Sequence, residues 1–122
     1  MEQVKALFDS NILIDFLQGN EAACIELERY QDVAISRITW IEVLIGARNE
    51  TESRLREKLL AEFVIVELDA RVARETIELR RTLRLKLPDA IILASARIHE
   101  ATLVTRNYRD FPRKEPGIRI PY

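Results

Sequence analysis

The sequence predicts an α/β fold of three layers, in which a central, mostly parallel sheet of four to five strands lies between helices. Short apolar or β-branched runs alternate along the chain with pairs of helical segments, the pattern of parallel strands joined by helical crossovers. Only 3 glycines and 4 prolines occur in 122 residues, which suits long helices with short connections. Hydrophobic residues make up 48% and charged residues 32%, the balance of one domain over residues 1–122.

Five segments are predicted as strands because each is short and apolar, with β-branched residues. In chain order they are residues 4–8, 33–36, 63–68, 102–105 and, as an edge strand, 117–120. The order of elements, β-α-α-β-α-α-β-α-α-β before that edge strand, favours a sheet covered by helices on both faces.

Six helices are predicted between these strands, from apolar periodicity and end signals. Asn20 and Asp69 are residue types that cap helix N-termini, and Pro88 suits a first helical position. The predicted helices cover residues 11–17, 21–30, 39–47, 51–62, 70 to about 86, and 89 to about 100. In the third helix one apolar face is expected to hold Ile38, Ile41, Leu44 and Ile45, and in the fifth Val72, Thr76, Leu79 and Leu83.

Composition excludes several classes of protein. No apolar run approaches the ~18 residues of a membrane span, and the first ten residues carry acids where a signal peptide would be apolar, so a cytoplasmic protein is expected. One cysteine and one histidine cannot form an internal disulfide framework or a zinc site. Residues 1–61 hold 7 basic and 11 acidic residues, and residues 62–122 hold 12 and 9. That asymmetry fits an anion-binding face or ordinary solvated helix faces equally well.

Acidic and amide side chains occur where predicted strands end or helices begin. They are Asp9, Glu42, Asp89, Asn107 and Asp110. The carboxyl ends of parallel strands meet at one edge of a sheet, so these side chains are expected to converge there. Clustered carboxylates repel one another unless a cation neutralises them, and an all-oxygen ligand set favours Mg²⁺ or Mn²⁺. Such a site typically serves phosphate chemistry.

Each of these residues also has a purely structural interpretation. Thr39 and Glu42 match a capping box, Asp89 suits the helix dipole, and Asp9 suits a turn or an N-cap. Asn107 and Asp110 are ordinary loop residues. Trp40 is expected in the core or an interface, whereas Glu26 and Glu28 are expected on the solvated surface.

Four segments together resemble a known family. They are LFDSNILID (residues 7–15), SRITWIEVLIGA (36–47), LPDAIILASA (87–96) and ATLVTRNYRDF (101–111). In order and spacing they are similar to the PIN-domain ribonucleases, and within these to the VapC-like toxins of bacterial and archaeal toxin–antitoxin pairs. The resemblance spans nearly the whole chain and implies a PIN-like α/β/α sandwich.

The resemblance also implies roles for individual residues. Asp9, Glu42 and Asp89 match the acidic pocket that binds Mg²⁺ or Mn²⁺. Ser10 and Asn11 match the family's polar pair after the first Asp, which braces that Asp by hydrogen bonds. Thr105 matches the family's threonine at the end of the fourth strand. Asn107 stands at the family's fourth acidic position, where many members have Asp, and Asp110 is the nearest acid that could compensate. Paired metals need enough carboxylates to offset their charge, so with Asn107 at this position one metal and two metals both stay open.

The implied activity is metal-dependent endoribonuclease cleavage of RNA by the toxin of such a pair. The resemblance further implies a homodimer and a small VapB-like antitoxin as partner. DNA would be bound only indirectly, through the antitoxin. Arg106 and Arg109 would contact RNA phosphates or the acids of that partner.

Two other classes of function stay open on the residues alone. A phosphatase with an aspartate nucleophile also begins with a strand and an Asp, but Asn11 stands where its second Asp is normally found. A non-catalytic PIN-like module that only binds RNA or a partner would fit Asn107, although the three intact acids argue against it.

Overall fold

A computed structural model of the protein describes residues 5–112 and 114–122. Its sheet has five strands, β1 (Lys5–Phe8), β2 (Asp32–Ser36), β3 (Val64–Val66), β4 (Thr102–Val104) and β5 (Ile118–Arg119). All pairings are parallel, in the order β3-β2-β1-β4-β5. The predicted α/β architecture and the edge strand are confirmed, while Val4, the predicted start of the first strand, lies outside the described residues.

The six predicted helices are present, with ends shifted by a few residues. They are α1 (Ser10–Leu17), α2 (Glu21–Glu28), α3 (Arg37–Ile45), α4 (Glu50–Leu60), α5 (Ala70–Leu83) and α6 (Leu87–Ile98). Asn20 and Asp69 cap α2 and α5 as predicted, whereas Pro88 is the second residue of α6 because Leu87 begins it. None of the described helices has the length and apolar character needed to cross a membrane.

The core has two parts, one on each face of the sheet. Successive residues of β1 point to opposite faces, so Leu7 packs with α5 and α6 residues while Ala6 and Phe8 pack with residues of α1 to α4. Strand β1 is therefore buried on both sides, as central parallel strands are, and the three-layer arrangement is confirmed.

The expected apolar face of α3 is wrong for Ile41 and Ile45, although Ile38 and Leu44 pack against the core. Its buried residues are Thr39 and Val43, whereas Ile41 and Ile45 are 44% and 77% exposed. Each isoleucine lies two positions after a buried residue, which is about 200° around the helix. In α5 the expected face is confirmed, since Val72, Thr76 and Leu79 are buried and Leu83 packs against them.

Candidate active site

Three acids lie at the carboxyl edge of the sheet. Asp9 follows β1 directly, and Glu42 lies in α3, the helix that follows β2. Asp89 lies in the first turn of α6. Because α6 ends just before β4 begins, its last turn lies near the amino ends of the strands and its first turn lies near their carboxyl ends. We call Asp9, Glu42 and Asp89 the acidic pocket. Their charges act on one another, since Asp9 raises the pKa of both other carboxyls.

Asp9 is held by residues from both ends of the chain. It is 4% exposed, and it is the N-cap of α1, with the backbone N–H of Ser10 donating to Oδ1 at 2.7 Å. The hydroxyl of Thr105 donates to Asp9 Oδ2 at 2.8 Å. The side-chain amide of Asn11 donates to Asp9 Oδ2 at 3.4 Å and to Thr105 Oγ1 at 3.3 Å. Ser10, Asn11 and Thr105 thus lie around Asp9, where the sequence analysis expected its supporting residues.

The loop after β4 is tied into the same hydrogen-bond network. The backbone N–H of Arg106 donates to Asn11 Oδ1 at 3.1 Å, and that of Asn107 donates to Thr105 Oγ1 at 3.0 Å. These bonds fix the start of the loop against α1. Any displacement of the loop would therefore disturb the groups that orient Asp9.

All three acids of the acidic pocket have raised pKa values. Burial raises the pKa of Asp9, and hydrogen bonds from Thr105 and Ser10 only partly oppose the effect. Burial and then the charge of Asp9 raise the pKa of Glu42. The pKa of Asp89 is raised to about 6, first by burial and then by the charges of Asp9 and Asp110. The pocket therefore holds negative charge that the protein's own cations do not balance.

The arrangement fits a hard divalent cation. Glu42 Oε1 is buried and has no hydrogen-bond partner among the described residues, although a buried carboxylate oxygen normally has one. Within residues 5–112 and 114–122, no three acidic, histidine or cysteine side chains already converge closely enough to hold a metal ion. Mg²⁺ retains several waters and needs only one or two direct carboxylates, so three converging side chains are not required. The oxygen-only donors suit Mg²⁺ or Mn²⁺.

The structural interpretation of Glu42 is wrong. Ser36 caps α3, with its hydroxyl accepting from the backbone N–H of Ile38 at 3.2 Å. Thr39 therefore lies inside the helix, so it cannot form a capping box with Glu42. For Asp9 the N-cap interpretation is confirmed, but capping uses one carboxylate oxygen and leaves further lone pairs for a ligand.

Asn107 and Asp110 form a pair within the loop after β4. The amide of Asn107 donates to Asp110 Oδ2 at 3.0 Å, and its oxygen accepts from the backbone N–H of Asp110 at 3.2 Å. Lys86 Nζ lies 3.7 Å from Asp110 Oδ2. The charge of Asp110 still raises the pKa of Asp89, so this acid borders the acidic pocket.

The two arginines expected to contact RNA or a partner have different surroundings. Arg106 forms an ion pair with Asp15 of α1, with Nε 2.5 Å from Oδ2 and Nη2 3.1 Å from Oδ1. Its side chain is nevertheless 43% exposed. Arg109 lies on the exposed surface of the same loop.

Glu26, predicted on the solvated surface, is instead buried, with 2% of its surface exposed. Its carboxylate accepts from Arg119 at 2.6 and 3.1 Å, from the Tyr30 hydroxyl at 2.9 Å and from Arg29 at 3.2 Å. These four residues, the Glu26 cluster, connect α2 to β5. The carbonyl of Arg119 accepts from the backbone N–H of Thr105 at 3.0 Å, so the cluster lies one step from the residue that orients Asp9. No local signal marks this, because Arg119 is 93 residues away.

Comparisons with known proteins agree with this architecture. The family model described as PIN domain matches residues 6–115. Ribonuclease VapC19 from Mycobacterium tuberculosis is 30% identical over 125 residues, which cover 95% of this chain and 98% of that protein. The structure of a toxin–antitoxin complex from Klebsiella pneumoniae contains a chain 43% identical, with a TM-score of 0.90 and coverage of 97% of this chain and 98% of that one.

A second structural neighbour comes from a DNA-bound VapBC complex of Salmonella typhimurium. It is 25% identical, with a TM-score of 0.78 and coverage of 96% of both chains. The family model spans most of the chain, including the ends of β1 and β4 where Asp9 and Thr105 lie. This chain belongs to the PIN domain family.

Proposed function

We propose that this chain is a metal-dependent endoribonuclease that acts as the toxin of a toxin–antitoxin pair, and that the acidic pocket is its active site. The observation that carries the proposal is the set of three clustered carboxyls with raised pKa values and an unpartnered Glu42 oxygen. It is further supported by a relative named as a ribonuclease and by a 43% identical chain in a toxin–antitoxin complex.

The chain's own residues would divide the work as follows. Asp9 and Asp89 would hold Mg²⁺ or Mn²⁺, which when bound would supply Lewis acidity toward phosphodiester oxygens and toward water. Glu42 Oε1 has no competing hydrogen bond, so it can orient the attacking water and accept its proton. Thr105, Ser10 and Asn11 keep the carboxylate of Asp9 in one orientation.

We further propose an antitoxin of the VapB type as the protein partner, a homodimeric toxin, and DNA binding only through the antitoxin. The Klebsiella neighbour is a toxin–antitoxin complex, and the Salmonella neighbour is a VapBC complex bound to DNA. Arg106 and Arg109 lie in the loop whose start is hydrogen-bonded to Asn11 and Thr105 around Asp9, so they could meet phosphates of RNA or acids of the antitoxin. An RNA substrate makes the cytoplasm the expected place of action.

A cleavage assay with purified protein and a transcribed RNA tests the proposal. We expect cleavage with Mg²⁺ or Mn²⁺, loss of cleavage in EDTA, and recovery when the metal is restored. Asp32→Asn is the matched control, because Asp32 is an exposed aspartate at the opposite end of β2. RNA that is bound but never cut would instead indicate the non-catalytic module, and release of phosphate from a small ester would indicate the phosphatase.

A further inference from the structure

Past the acidic pocket, the carboxyl edge of the sheet continues from β4 to β5, where a cavity of about 620 Å³ opens. We call it the tyrosine cavity, after its lining residues Tyr108, Ile118, Ile120 and Tyr122. Tyr108 is 51% and Tyr122 40% exposed, and they are the exposed aromatic side chains among the described residues. Both therefore lie in one cavity, beside the loop that is hydrogen-bonded to Thr105 and Asn11.

The ring of Tyr122 is held in place from the active-site side. Its hydroxyl donates to Asp15 Oδ2 at 2.7 Å, and the same carboxylate forms the ion pair with Arg106. The guanidinium carbon of Arg106 lies 5.7 Å from the centre of the Tyr122 ring. Burial and the Asp15 carboxylate raise the pKa of Tyr122, so the phenol stays neutral. A ring fixed before binding loses little conformational entropy when a ligand packs on it.

The single tryptophan, Trp40, is partly buried and does not line this cavity. It packs against the core residues on the α1 side of the sheet, and the guanidinium of Arg37 lies 4.9 Å from the centre of its ring. The two exposed tyrosines thus differ from it in having aromatic surface open to solvent at the edge where the acids converge.

We propose that the tyrosine cavity binds an unpaired base of the RNA substrate by stacking on Tyr108 and Tyr122, while a neighbouring phosphate lies at the acidic pocket. This inference rests on the proposed function. Single-stranded RNA is recognised largely by stacking of splayed bases on aromatic side chains. The backbone of Arg106 is bonded to Asn11 beside Asp9, its guanidinium lies near the Tyr122 ring, and its side chain is 43% exposed, so it can contact phosphates that connect the two sites. This continuity with the acidic pocket favours RNA over a protein as the occupant.

Kinetics with intact and abasic RNA test the stacking site. A short single-stranded RNA with a known cleavage position is compared with versions that lack one base at successive positions. We expect Tyr108→Leu and Tyr122→Leu to raise KM roughly 10- to 100-fold, with kcat within about 2-fold, because stacking contributes ~1–3 kcal/mol per base. When the missing base is the stacked one, wild type and variants should have equal KM.

Two variants and one optical measurement exclude a merely structural effect. Tyr108→Phe keeps the ring and should keep the wild-type KM. Ile25→Ala removes a side chain that is 61% exposed on α2 and should change nothing. In EDTA, where no cleavage occurs, RNA carrying 2-aminopurine at the stacked position should lose fluorescence on binding wild type and lose less on binding either leucine variant.

The outcomes separate this inference from the proposed function. If wild type cleaves RNA and both leucine variants have an unchanged KM, the stacking site is wrong and the ribonuclease stands. The same holds if the rise in KM persists on every abasic RNA, or if the variants lose affinity only for a protein partner. If wild type neither binds nor cleaves RNA, both proposals fail.

Discussion

Two buried acidic sites in this protein have opposite electrostatics. In the Glu26 cluster, burial alone would raise the pKa of Glu26, but hydrogen bonds from Arg119 and Tyr30 and the charges of Arg119 and Arg29 bring it below its ordinary value. In the acidic pocket, burial acts in the same direction, and the neighbouring carboxylates add to it, with the charge of Lys86 opposing them in part at Asp89.

The difference fits a structural role for the Glu26 cluster and the metal site proposed for the acidic pocket. A buried carboxylate that is fully hydrogen-bonded and paired with cations joins elements of the fold, whereas carboxylates left unbalanced in a cleft cost stability that only a bound cation can recover. Asp9 is as deeply buried as Glu26, so burial by itself does not distinguish the sites. The presence or absence of arginine beside the carboxylate does.

The largest expected effect is on catalysis. Asp9→Asn should reduce RNA cleavage roughly 10³-fold or more, because it removes charge from the proposed metal site while keeping an oxygen for the Ser10 N–H. In EDTA the variant should melt at the same temperature as wild type or higher, since one repelling charge is gone. Cleavage rates at saturating Mn²⁺ and thermal melting measure the two effects. Wild-type cleavage by the variant would contradict the assignment of the acidic pocket.

At the Glu26 cluster, a substitution is expected to lower stability and to leave cleavage nearly unchanged. Glu26→Gln leaves Arg119 and Arg29 without their carboxylate and should lower the free energy of unfolding by about 2–3 kcal/mol. Urea unfolding measures this, and cleavage per folded molecule should stay near wild type. Glu67→Gln is the control, because Glu67 pairs with Arg37 on the exposed surface and its loss should hardly alter the midpoint. Equal effects of both variants would mean that the Glu26 cluster adds nothing.

The pH dependence of stability should separate the two sites without mutation. The pKa of Asp89 is about 6 in the folded protein and near 4 unfolded, so the folded state binds the proton more tightly. Metal-free stability should therefore fall as pH rises from about 4 to 6, by about 1–2 kcal/mol after allowance for solvent screening. Glu26, whose folded pKa is lowered, contributes stability that is lost as pH falls through that pKa, so its effect on stability has the opposite sign. Melting in EDTA should show the decline in wild type and Glu26→Gln, and a smaller decline in Asp89→Asn, where Asp9 and Glu42 still have raised pKa values.

The smallest expected effect is at Asn107. Asn107→Asp replaces the amide that donates to Asp110 with a carboxylate, so two acids would face each other at the rim of the acidic pocket. Mn²⁺ binding should tighten roughly 3-fold through charge attraction, and the melting temperature in EDTA should fall. Calorimetric titration and melting measure these changes. If neither changes, Asn107 serves only to hold the loop.

The sequence was most informative where local signals and long-range structure agree. Asp9 and Asp89 lie next to clear element boundaries, so their positions at the sheet edge followed from the parallel topology. Glu42 was ambiguous, because a capping box and an acid inside a helix look alike until Ser36 is seen to be the cap. The prediction of the apolar face of α3 was wrong for Ile41 and Ile45, because these exposed residues follow the same apolar periodicity as buried residues would.

The Glu26 cluster could not be predicted from the sequence, for a different reason. Glu26 occurs in a run of charged and apolar residues that is ordinary for a surface helix, and its main partner, Arg119, comes from the far end of the chain. The hydrogen bond between Asn107 and Asp110 was also unforeseen, although their spacing of three residues allows such a loop contact. Interactions between side chains distant in sequence are specified by packing, which no single segment encodes.

The pairing of β1 with β4 has a consequence for how the protein is made. Phe8 lies opposite Val104, and the Thr105 hydroxyl that orients Asp9 is 96 residues further along the chain. A growing chain that ends before β4 contains Asp9 and Glu42 but lacks the strand that leads to Thr105. Contacts between residues so distant in sequence form late in folding. The active site of this proposed nuclease is therefore assembled only once nearly the whole polypeptide has emerged from the ribosome.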